Sequence, residues 1–148
     1  MAIQQFSRSL PMMLHRTLDA VMPRFRKIFN DSGLTEPQGR VLRVLWEREE
    51  IALGELGKLT LIATPSLVGI VDRLSSMELV ARKRSGSDRR VVYVVATDKG
   101  RDLQAEIMPQ VAVAYAGLKQ AVDAELWSQV LDGLQEISAA ADAAKRDG

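Results

Sequence analysis

The chain has 148 residues, of which 47% are hydrophobic and 26% are charged, and its formal net charge is +1. These values are ordinary for a globular protein, and the length suits one domain, residues 1–148, with a buried core. The lack of cysteine excludes disulfides, thiolate nucleophiles and thiol redox sensors. No segment approaches the roughly 18–20 apolar residues of a membrane span and the N-terminus has no signal-peptide core, so we expect a cytoplasmic protein with no membrane partner.

The first helix is predicted from apolar residues that recur at three- and four-residue steps between Phe6 and Phe29. Pro11 lies near its start, and Pro23 is expected to kink it because proline removes a backbone donor. The sequence NDSG at residues 30–33 ends the helix.

The second helix is predicted to start at a capping box made by Thr35 and Gln38. Its buried stripe comprises Val41, Leu42, Leu45 and Trp46. Ile51 then reads as a strand stub, followed by a short helix from Leu53 to about Thr60.

The next helix is predicted over residues 64–77, with Thr64 as the expected N-cap and Pro65 at the first helical position. Its inward residues are predicted to be Leu67, Ile70, Val71 and Leu74. The outward residues are then Ser66, Val68, Gly69, Asp72 and Arg73.

The runs LVARKR and RRVVYVVAT are rich in strand-forming residues and flank SGSD, so they predict an antiparallel hairpin. Thr97 is expected to cap a long helix that bends at Pro109, and Asp123 to begin the last helix. That helix ends in a segment, residues 140–148, that we expect to be frayed. Its apolar stripe consists of Leu126, Val130, Leu131, Leu134 and Ile137.

This order of elements predicts a mainly α fold with a small β-hairpin wing. Residues 34–97 form a winged helix-turn-helix lobe. Residues 1–30 and 98–146 form a helical lobe whose apolar stripes are too long for this chain to cover alone, so we expect them to form a homodimer interface.

The charge is unevenly distributed: residues 80–101 hold seven basic and two acidic side chains, whereas residues 102–148 hold three and eight. A local basic patch indicates an anionic partner, although a solvated charge run would look the same. The tip of a hairpin can reach a minor groove of double-stranded DNA, where the potential favours arginine. Ser85, Gly86 and Ser87 would form a flexible tip, and Asp88 would either orient an arginine or merely close the turn.

The motifs from residue 33 to 103 resemble the MarR family of bacterial transcriptional regulators, and most closely its SlyA-like branch. The combination consists of LTEPQGRVL, then PSLV with D-x-L and L-V-x-R spacing, then SDRR and the helix start T-x-x-G. The resemblance implies a winged-helix homodimer on pseudo-palindromic DNA, acting as a repressor, with residues 64–77 as the recognition helix.

The resemblance also implies roles for the wing, with Arg90 entering the minor groove and Asp88 buttressing it, while Arg89 takes or shares that role. Lys58, Arg82 and Arg84 are expected to contact phosphates. The full predicted DNA-binding set is Thr64, Pro65, Ser66, Val68, Gly69, Arg73, Arg82, Arg84, Ser85, Asp88, Arg89 and Arg90.

Two positions depart from similar proteins. Gly69 stands where an arginine is common, which removes a guanine-reading fork worth about 1–3 kcal/mol of discrimination. Base readout is then expected to depend on Ser66, on Val68 against thymine methyl groups, on Arg73 and on DNA shape. Gly39 stands where an aromatic residue is frequent; it would either enlarge a ligand cleft or allow a close helix contact.

A small phenolic or aromatic-acid effector is implied by the family. The candidate ligand-binding residues are Met12, His15, Gly39, Leu42 and Trp46. Three of them have structural alternatives: His15 as a surface or interface residue, Met12 as an interface filler, and Trp46 as a core or interface residue.

No catalytic constellation or metal-ligand spacing appears, so we expect no enzyme activity, no metal and no cofactor. GELGK at residues 54–58 lacks the spacing of a phosphate loop. The remaining alternative is a helical module that uses its winged helix for protein contacts. The operator sequence, the regulated genes and the ligand are not readable from the chain.

Overall fold

The computed structural model describes residues 5–148, so the first four residues of the predicted helical segment 1–30 lie outside the described residues. A one-turn 3₁₀ helix, Phe6–Arg8, precedes the first α-helix. The helices are α1 (Leu10–Asp31), α2 (Glu36–Glu47), α3 (Leu53–Thr60), α4 (Thr64–Ser76), α5 (Asp98–Gln120) and α6 (Ala124–Asp147), and the strands are β1 (Ile51–Ala52), β2 (Val80–Arg84) and β3 (Val92–Ala96).

The chain forms two compact units, one up to Val111 and one comprising Ala112–Gly148. The boundary falls inside α5, whereas the sequence placed the lobe boundary at residues 97/98. The first unit contains α1 together with the winged helix, and the second contains the end of α5 and all of α6.

Three predicted helix starts are confirmed by their cap hydrogen bonds. Thr35 Oγ1 accepts from the Gln38 backbone while the Gln38 side chain accepts from the Thr35 N–H, which is a complete capping box. Thr97 Oγ1 accepts from the Gly100 N–H at 3.1 Å, and Asp123 Oδ1 accepts from the Glu125 N–H at 2.8 Å. These bonds satisfy amide donors that a helix start leaves unpaired.

The predicted cap of α4 is wrong by one residue. Ala63 is the N-cap residue, without a side-chain cap bond, and Thr64 is already helical. Because the helix starts one residue earlier than predicted, Pro65 lies in its first turn but is the second helical residue.

The predicted fraying of residues 140–148 is also wrong, because α6 continues to Asp147. The segment is rich in alanine, the best helix former. Lys145 and Arg146 lie in the last turn, where cations interact favourably with the helix dipole. Pro23 and Pro109 lie inside α1 and α5, and the bends expected there stay predictions.

The hairpin belongs to a three-stranded antiparallel sheet with the order β1-β3-β2. Strands β2 and β3 pair from Val80 opposite Ala96 to Arg84 opposite Val92. The predicted strand stub at Ile51 is confirmed, since β1 pairs with β3 through Ile51 and Val94. This third strand ties the base of the wing to the segment between α2 and α3.

The core of the first unit lies where α2, α3 and α4 meet the sheet. The predicted stripes of α2 and α4 are confirmed, with Ile70 half-buried at the margin. The side chains with no solvent exposure are Val41, Leu42, Leu45, Leu56, Leu67, Val71, Leu74, Val94 and Ile107. Burying such side chains stabilises each by about 1.5–3 kcal/mol, which holds α4 on the lobe.

Among residues 5–148, no single helix is long and apolar enough to cross a membrane. Helices α3 and α4 meet the length and composition criteria only as a pair that is bent by 106°.

Candidate nucleic-acid interface

Helix α4 presents a polar and partly apolar face to solvent. Leu67, Val71 and Leu74 point into the core, so the residues between them are exposed by helical periodicity. These exposed residues include five of the predicted contact positions: Thr64, Pro65, Ser66, Val68 and Gly69. Arg73 is also exposed, one turn further on.

Gly69 leaves a gap on this face. A Cβ atom at this position would meet nothing within 4 Å. A groove of about 510 Å³ opens here between the start of α2 and α4. Its lining residues are Thr35, Pro37, Gln38, Ser66, Gly69, Ile70 and Arg73.

An ion pair links α4 to the wing, the hairpin of β2 and β3. Arg82 Nη2 lies 2.5 Å from Asp72 Oδ1, so strand β2 is joined to the outer face of α4. The sequence assigned Arg82 to a phosphate contact and gave Asp72 only an outward orientation. In the structure the two side chains form an ion pair between β2 and α4, and the phosphate contact of Arg82 stays a prediction.

The wing tip, residues 85–91, contains several local hydrogen bonds, and the flexibility expected of Ser85, Gly86 and Ser87 stays a prediction. Ser85 Oγ accepts from the backbone of Ser87 at 3.3 Å and of Asp88 at 3.2 Å. Arg84 Nη1 donates to the Arg89 carbonyl at 2.9 Å. Arg84, expected to contact phosphate, therefore fixes the turn from one side.

Asp88 and Arg90 form a compact pair at the tip. The Asp88 Oδ1 atom accepts from the Arg90 backbone at 3.0 Å and from Arg90 Nε at 3.2 Å. The Arg90 side chain is nevertheless 91% exposed, so its guanidinium is oriented but remains in solvent. Within the described part of the chain, the Arg89 side chain has no carboxylate partner. Its backbone carbonyl accepts the hydrogen bond from Arg84 Nη1.

The pair predicts how the wing responds to pH. Hydrogen bonds from the Arg90 side chain and then its backbone hold the pKa of the Asp88 carboxyl below its ordinary value of 3.8. A lowered pKa means that the stabilisation is present at neutral pH and is lost only as pH falls through the folded-state value. We expect the Asp88 carboxyl resonance to titrate below pH 3.8 in the wild type. In Arg90→Ala it should move back toward that value, and an unchanged midpoint would contradict the pairing.

Comparison of the chain with known proteins shows which family it belongs to. The family model described as transcriptional regulator SarA/Rot matches residues 24–107 of the chain. The chain is 32% identical to the HTH-type transcriptional regulator FarR of Neisseria gonorrhoeae over 97% of this chain and 98% of FarR. It is 31% identical to the homoprotocatechuate degradative operon repressor of Escherichia coli over 94% of each protein.

Among solved structures, NadR in complex with 4-hydroxyphenylacetate superposes with a TM-score of 0.80 at 31% identity, covering 93% of this chain and 97% of NadR. The chain belongs to the MarR family of winged-helix transcriptional regulators.

Membership in the MarR family confirms the predicted fold and the predicted class of function. The protein is a DNA-binding transcriptional regulator, and the proteins that it matches are regulators rather than enzymes. The SlyA-like branch stays a prediction. In residues 5–148, no group of three or more His, Asp or Glu side chains is placed to hold a metal ion.

The five candidate ligand residues of this MarR-family protein are not brought together. Leu42 is fully buried, and Trp46 is a core residue whose Nε1 donates to the Gly100 carbonyl at 2.9 Å. Gly39 is buried against the ring of Phe29. His15 lines a cavity on α1, and Met12 is half-buried one turn before it.

Gly39 fits the second of its two sequence interpretations, the close helix contact. A Cβ atom here would collide with the Phe29 ring, which is itself 3% exposed. The gain in helix propensity from alanine is at most about 1 kcal/mol, whereas overpacking a core costs about 1–3 kcal/mol. We therefore expect Gly39→Ala to lower the free energy of unfolding by roughly 1 kcal/mol, measured by urea denaturation. A stabilised variant would show that the Phe29 ring moves aside freely.

Proposed function

We propose that this regulator binds a pseudo-palindromic operator as a homodimer and represses by occupying it. Helix α4 of each subunit would enter one of two successive major grooves, about 34 Å apart. Arg90 of each wing would enter the flanking minor groove, where the negative potential attracts arginine. The observation that carries the proposal is the highly exposed Arg90 guanidinium, oriented by Asp88 on a wing that Arg82 ties to α4.

Base readout would come from the exposed face of α4. Ser66 donates or accepts a hydrogen bond, Val68 packs on thymine methyl groups, and Arg73 reaches bases or backbone. The gap at Gly69 removes one side chain from this face, so more of the specificity would come from DNA shape. Lys58, exposed near the end of α3, would contact phosphate.

The dimer would form through apolar side chains that the single chain leaves exposed. Several large apolar side chains exposed along one helix indicate an association surface. On α1 the exposed large apolar side chains are Leu10, Met13, Leu14 and Leu18, and on α6 they are Leu126, Val130, Leu131 and Ile137.

A charge on the α6 stripe is expected to separate the subunits. Val130 is 48% exposed in the single chain, so Val130→Asp should fold with unchanged helix content but sediment as a monomer. Analytical ultracentrifugation and circular dichroism measure the two effects. The matched control is Gln135→Asp, which adds the same charge to an exposed position outside the stripe. A dimer that survives Val130→Asp would exclude α6 from the interface.

The operator model is tested by hydroxyl-radical footprinting on DNA from upstream of the gene. The wild-type protein should protect two half-sites one helical turn apart, with additional minor-groove protection outside them. Val130→Asp should lose the paired pattern, whereas Gln135→Asp should keep it. A single protected half-site at saturating wild-type protein would contradict the dimer.

A small aromatic acid is the proposed effector. NadR has been solved in complex with 4-hydroxyphenylacetate, and the Escherichia coli relative is a repressor of a homoprotocatechuate degradative operon. By analogy, an aromatic acid would bind the state of this protein whose wing spacing does not fit both half-sites, and so release the operator.

A further inference from the structure

The centre of the solvent-facing side of α4 has no side chain. Leu67, Val71 and Leu74 point into the core, and successive residues of an α-helix are rotated by about 100°. Gly69 therefore lies almost directly opposite this buried stripe, at the position that would reach deepest into a major groove. No packing contact among residues 5–148 requires a glycine there, although glycine destabilises a helix interior relative to alanine. The gap at Gly69 therefore matters for what α4 contacts rather than for how it packs.

The groove at Gly69, here called the Gly69 gap, has a volume of about 510 Å³. Thr35 and Gln38 line it but are hydrogen-bonded to each other in the capping box of α2. In residues 5–148, the lining side chains of Ser66 and Arg73 make no hydrogen bond or ion pair. Ser66 and Arg73 are therefore the side chains of the Gly69 gap that are available to DNA.

The free charge beside the Gly69 gap is positive. Asp72 is exposed on the same side of α4, but Arg82 Nη2 lies 2.5 Å from its Oδ1 atom, so this carboxylate is paired. Arg73 follows Gly69 by four residues, which places the two positions on the same side of the helix. The surface thus combines a central space that has no hydrogen-bonding side chain with an adjacent guanidinium.

The major groove of DNA contains one projecting group that needs no hydrogen-bond partner, the C5-methyl group of thymine. The base 5-methylcytosine carries the same methyl group at the same place on its ring. The Gly69 gap has room for such a methyl group, whereas a long side chain at residue 69 would occupy the same volume. Arginine pairs bidentately with O6 and N7 of guanine, so Arg73 is placed to contact the neighbouring base.

We propose that the Gly69 gap is a recognition site for the C5-methyl group of a pyrimidine, and that Arg73 contacts an adjacent guanine. The methyl group fills the gap and is removed from water, which favours binding. Thymine and 5-methylcytosine are therefore accepted alike at this position, and methylation of a cytosine there strengthens binding rather than blocking it. This inference rests on the proposed function, because it requires α4 to lie in the major groove.

Changing one methyl group at a time in the DNA tests the site. Fluorescence anisotropy compares the upstream duplex with duplexes in which one thymine is replaced by uracil, or one cytosine by 5-methylcytosine, at each position within the footprint. Removing the methyl group that fills the gap should weaken binding about fourfold, and adding it to a cytosine should strengthen binding about fourfold, the factor that one buried methyl group supplies. Equal affinities at every position would overturn the proposal.

Gly69→Val separates the gap from the methyl contact proposed for Val68. The valine fills the gap, so the pyrimidine that responds to methylation in the wild type should bind equally well with and without its methyl group. Val68 lies about 100° around α4 from Gly69, so the control Val68→Ala should keep the response at this pyrimidine. Circular dichroism checks that both variants fold. If Gly69→Val retains every methyl response of the wild type, the gap is not the site.

The analogue 7-deazaguanine, which lacks the N7 acceptor, tests the guanine contact. Placed beside the responsive pyrimidine, it should weaken wild-type binding at least about fivefold, because a bidentate arginine–guanine pair is lost. Arg73→Gln should bind the guanine and 7-deazaguanine duplexes equally. The control Arg24→Gln, which changes an exposed cation on α1, should keep the wild-type difference. A wild-type protein that is indifferent to 7-deazaguanine would overturn the role of Arg73.

The outcomes separate this inference from the proposed function. If the upstream duplex is bound selectively but no methyl substitution changes its affinity, the operator function stands and the Gly69 site fails. If the upstream and scrambled duplexes are bound equally and weakly, both fail. At the responsive position, cytosine and 5-methylcytosine duplexes are also compared directly. Equal affinities for these two duplexes would confine the site to thymine and overturn the recognition of methylated cytosine.

Discussion

Replacing Gly100 by alanine is expected to destabilise the protein by roughly 3 kcal/mol, the upper part of the range for overpacking a core. Gly100 is buried in the first turn of α5, and a Cβ atom there would collide with the carbonyl oxygen of Leu79. That oxygen belongs to the backbone and already accepts a hydrogen bond from the Thr97 N–H at 3.1 Å, so it cannot rotate away. The start of α5 would have to shift instead.

A shift at Gly100 would break further contacts. Its N–H donates to Thr97 Oγ1 at 3.1 Å, and its carbonyl accepts from the indole of Trp46 at 2.9 Å. These contacts explain the T-x-x-G motif: Thr97 caps α5, and Gly100 allows α5 to approach the Leu79 backbone. An indole donor left unpaired in the core adds a desolvation penalty of about 1–3 kcal/mol.

Urea denaturation followed by tryptophan fluorescence measures the effect. The control is Gly69→Ala, because a Cβ atom there meets nothing within 4 Å and alanine favours a helix. We expect Gly100→Ala to unfold at a much lower urea concentration and Gly69→Ala to unfold at an equal or higher one. Equal midpoints for Gly100→Ala and the wild type would show that the close approach to Leu79 is not tight.

The largest functional effect is expected from Arg90→Ala. Two wings per dimer would lose one cation each, so the slope of log K against log salt should fall in magnitude by about 1.8. Affinity for operator DNA should fall at least about tenfold, since a well-placed contact to DNA is worth about 1–3 kcal/mol. Fluorescence anisotropy across a salt series measures both quantities. The matched control is Arg24→Ala, which removes an exposed cation from α1 and should leave the slope unchanged.

Asp88→Asn separates the placement of Arg90 from its charge. The variant keeps the guanidinium but weakens the hydrogen bonds that orient Arg90. In the wild type, Asp88 Oδ1 accepts from the Arg90 backbone N–H at 3.0 Å and from Arg90 Nε at 3.2 Å. Binding to scrambled DNA should be unchanged or stronger because a negative charge is lost from the wing. Binding to the operator should weaken, so the ratio of the two affinities falls. A ratio equal to that of the wild type would contradict the positioning role of Asp88.

Local signals made most of the fold predictable. Apolar periodicity located the buried stripes of α2 and α4, and the side chains of Thr35, Thr97 and Asp123 located helix starts by their cap chemistry. The start of α4 was misplaced because Thr64 has the preferred cap chemistry but Ala63 holds the extended backbone that a cap requires.

The parts of the site that escaped prediction depend on contacts between distant residues. Asp72 and Arg82 are ten positions apart, and no local rule pairs a helix residue with a strand residue across a turn. The candidate ligand residues were chosen from residue type, whereas burial of Leu42 and Trp46 depends on how α2 packs.

Sequence-selective DNA binding through the winged helix is tested most directly by fluorescence anisotropy of the wild-type protein. A duplex from the gene's own upstream region is compared with a scrambled duplex of the same composition, from low to physiological salt. We expect tighter binding to the upstream duplex and a steep loss of affinity with salt, as required for contacts to several phosphates. Equal and weak binding to both duplexes at every salt concentration would contradict the claim.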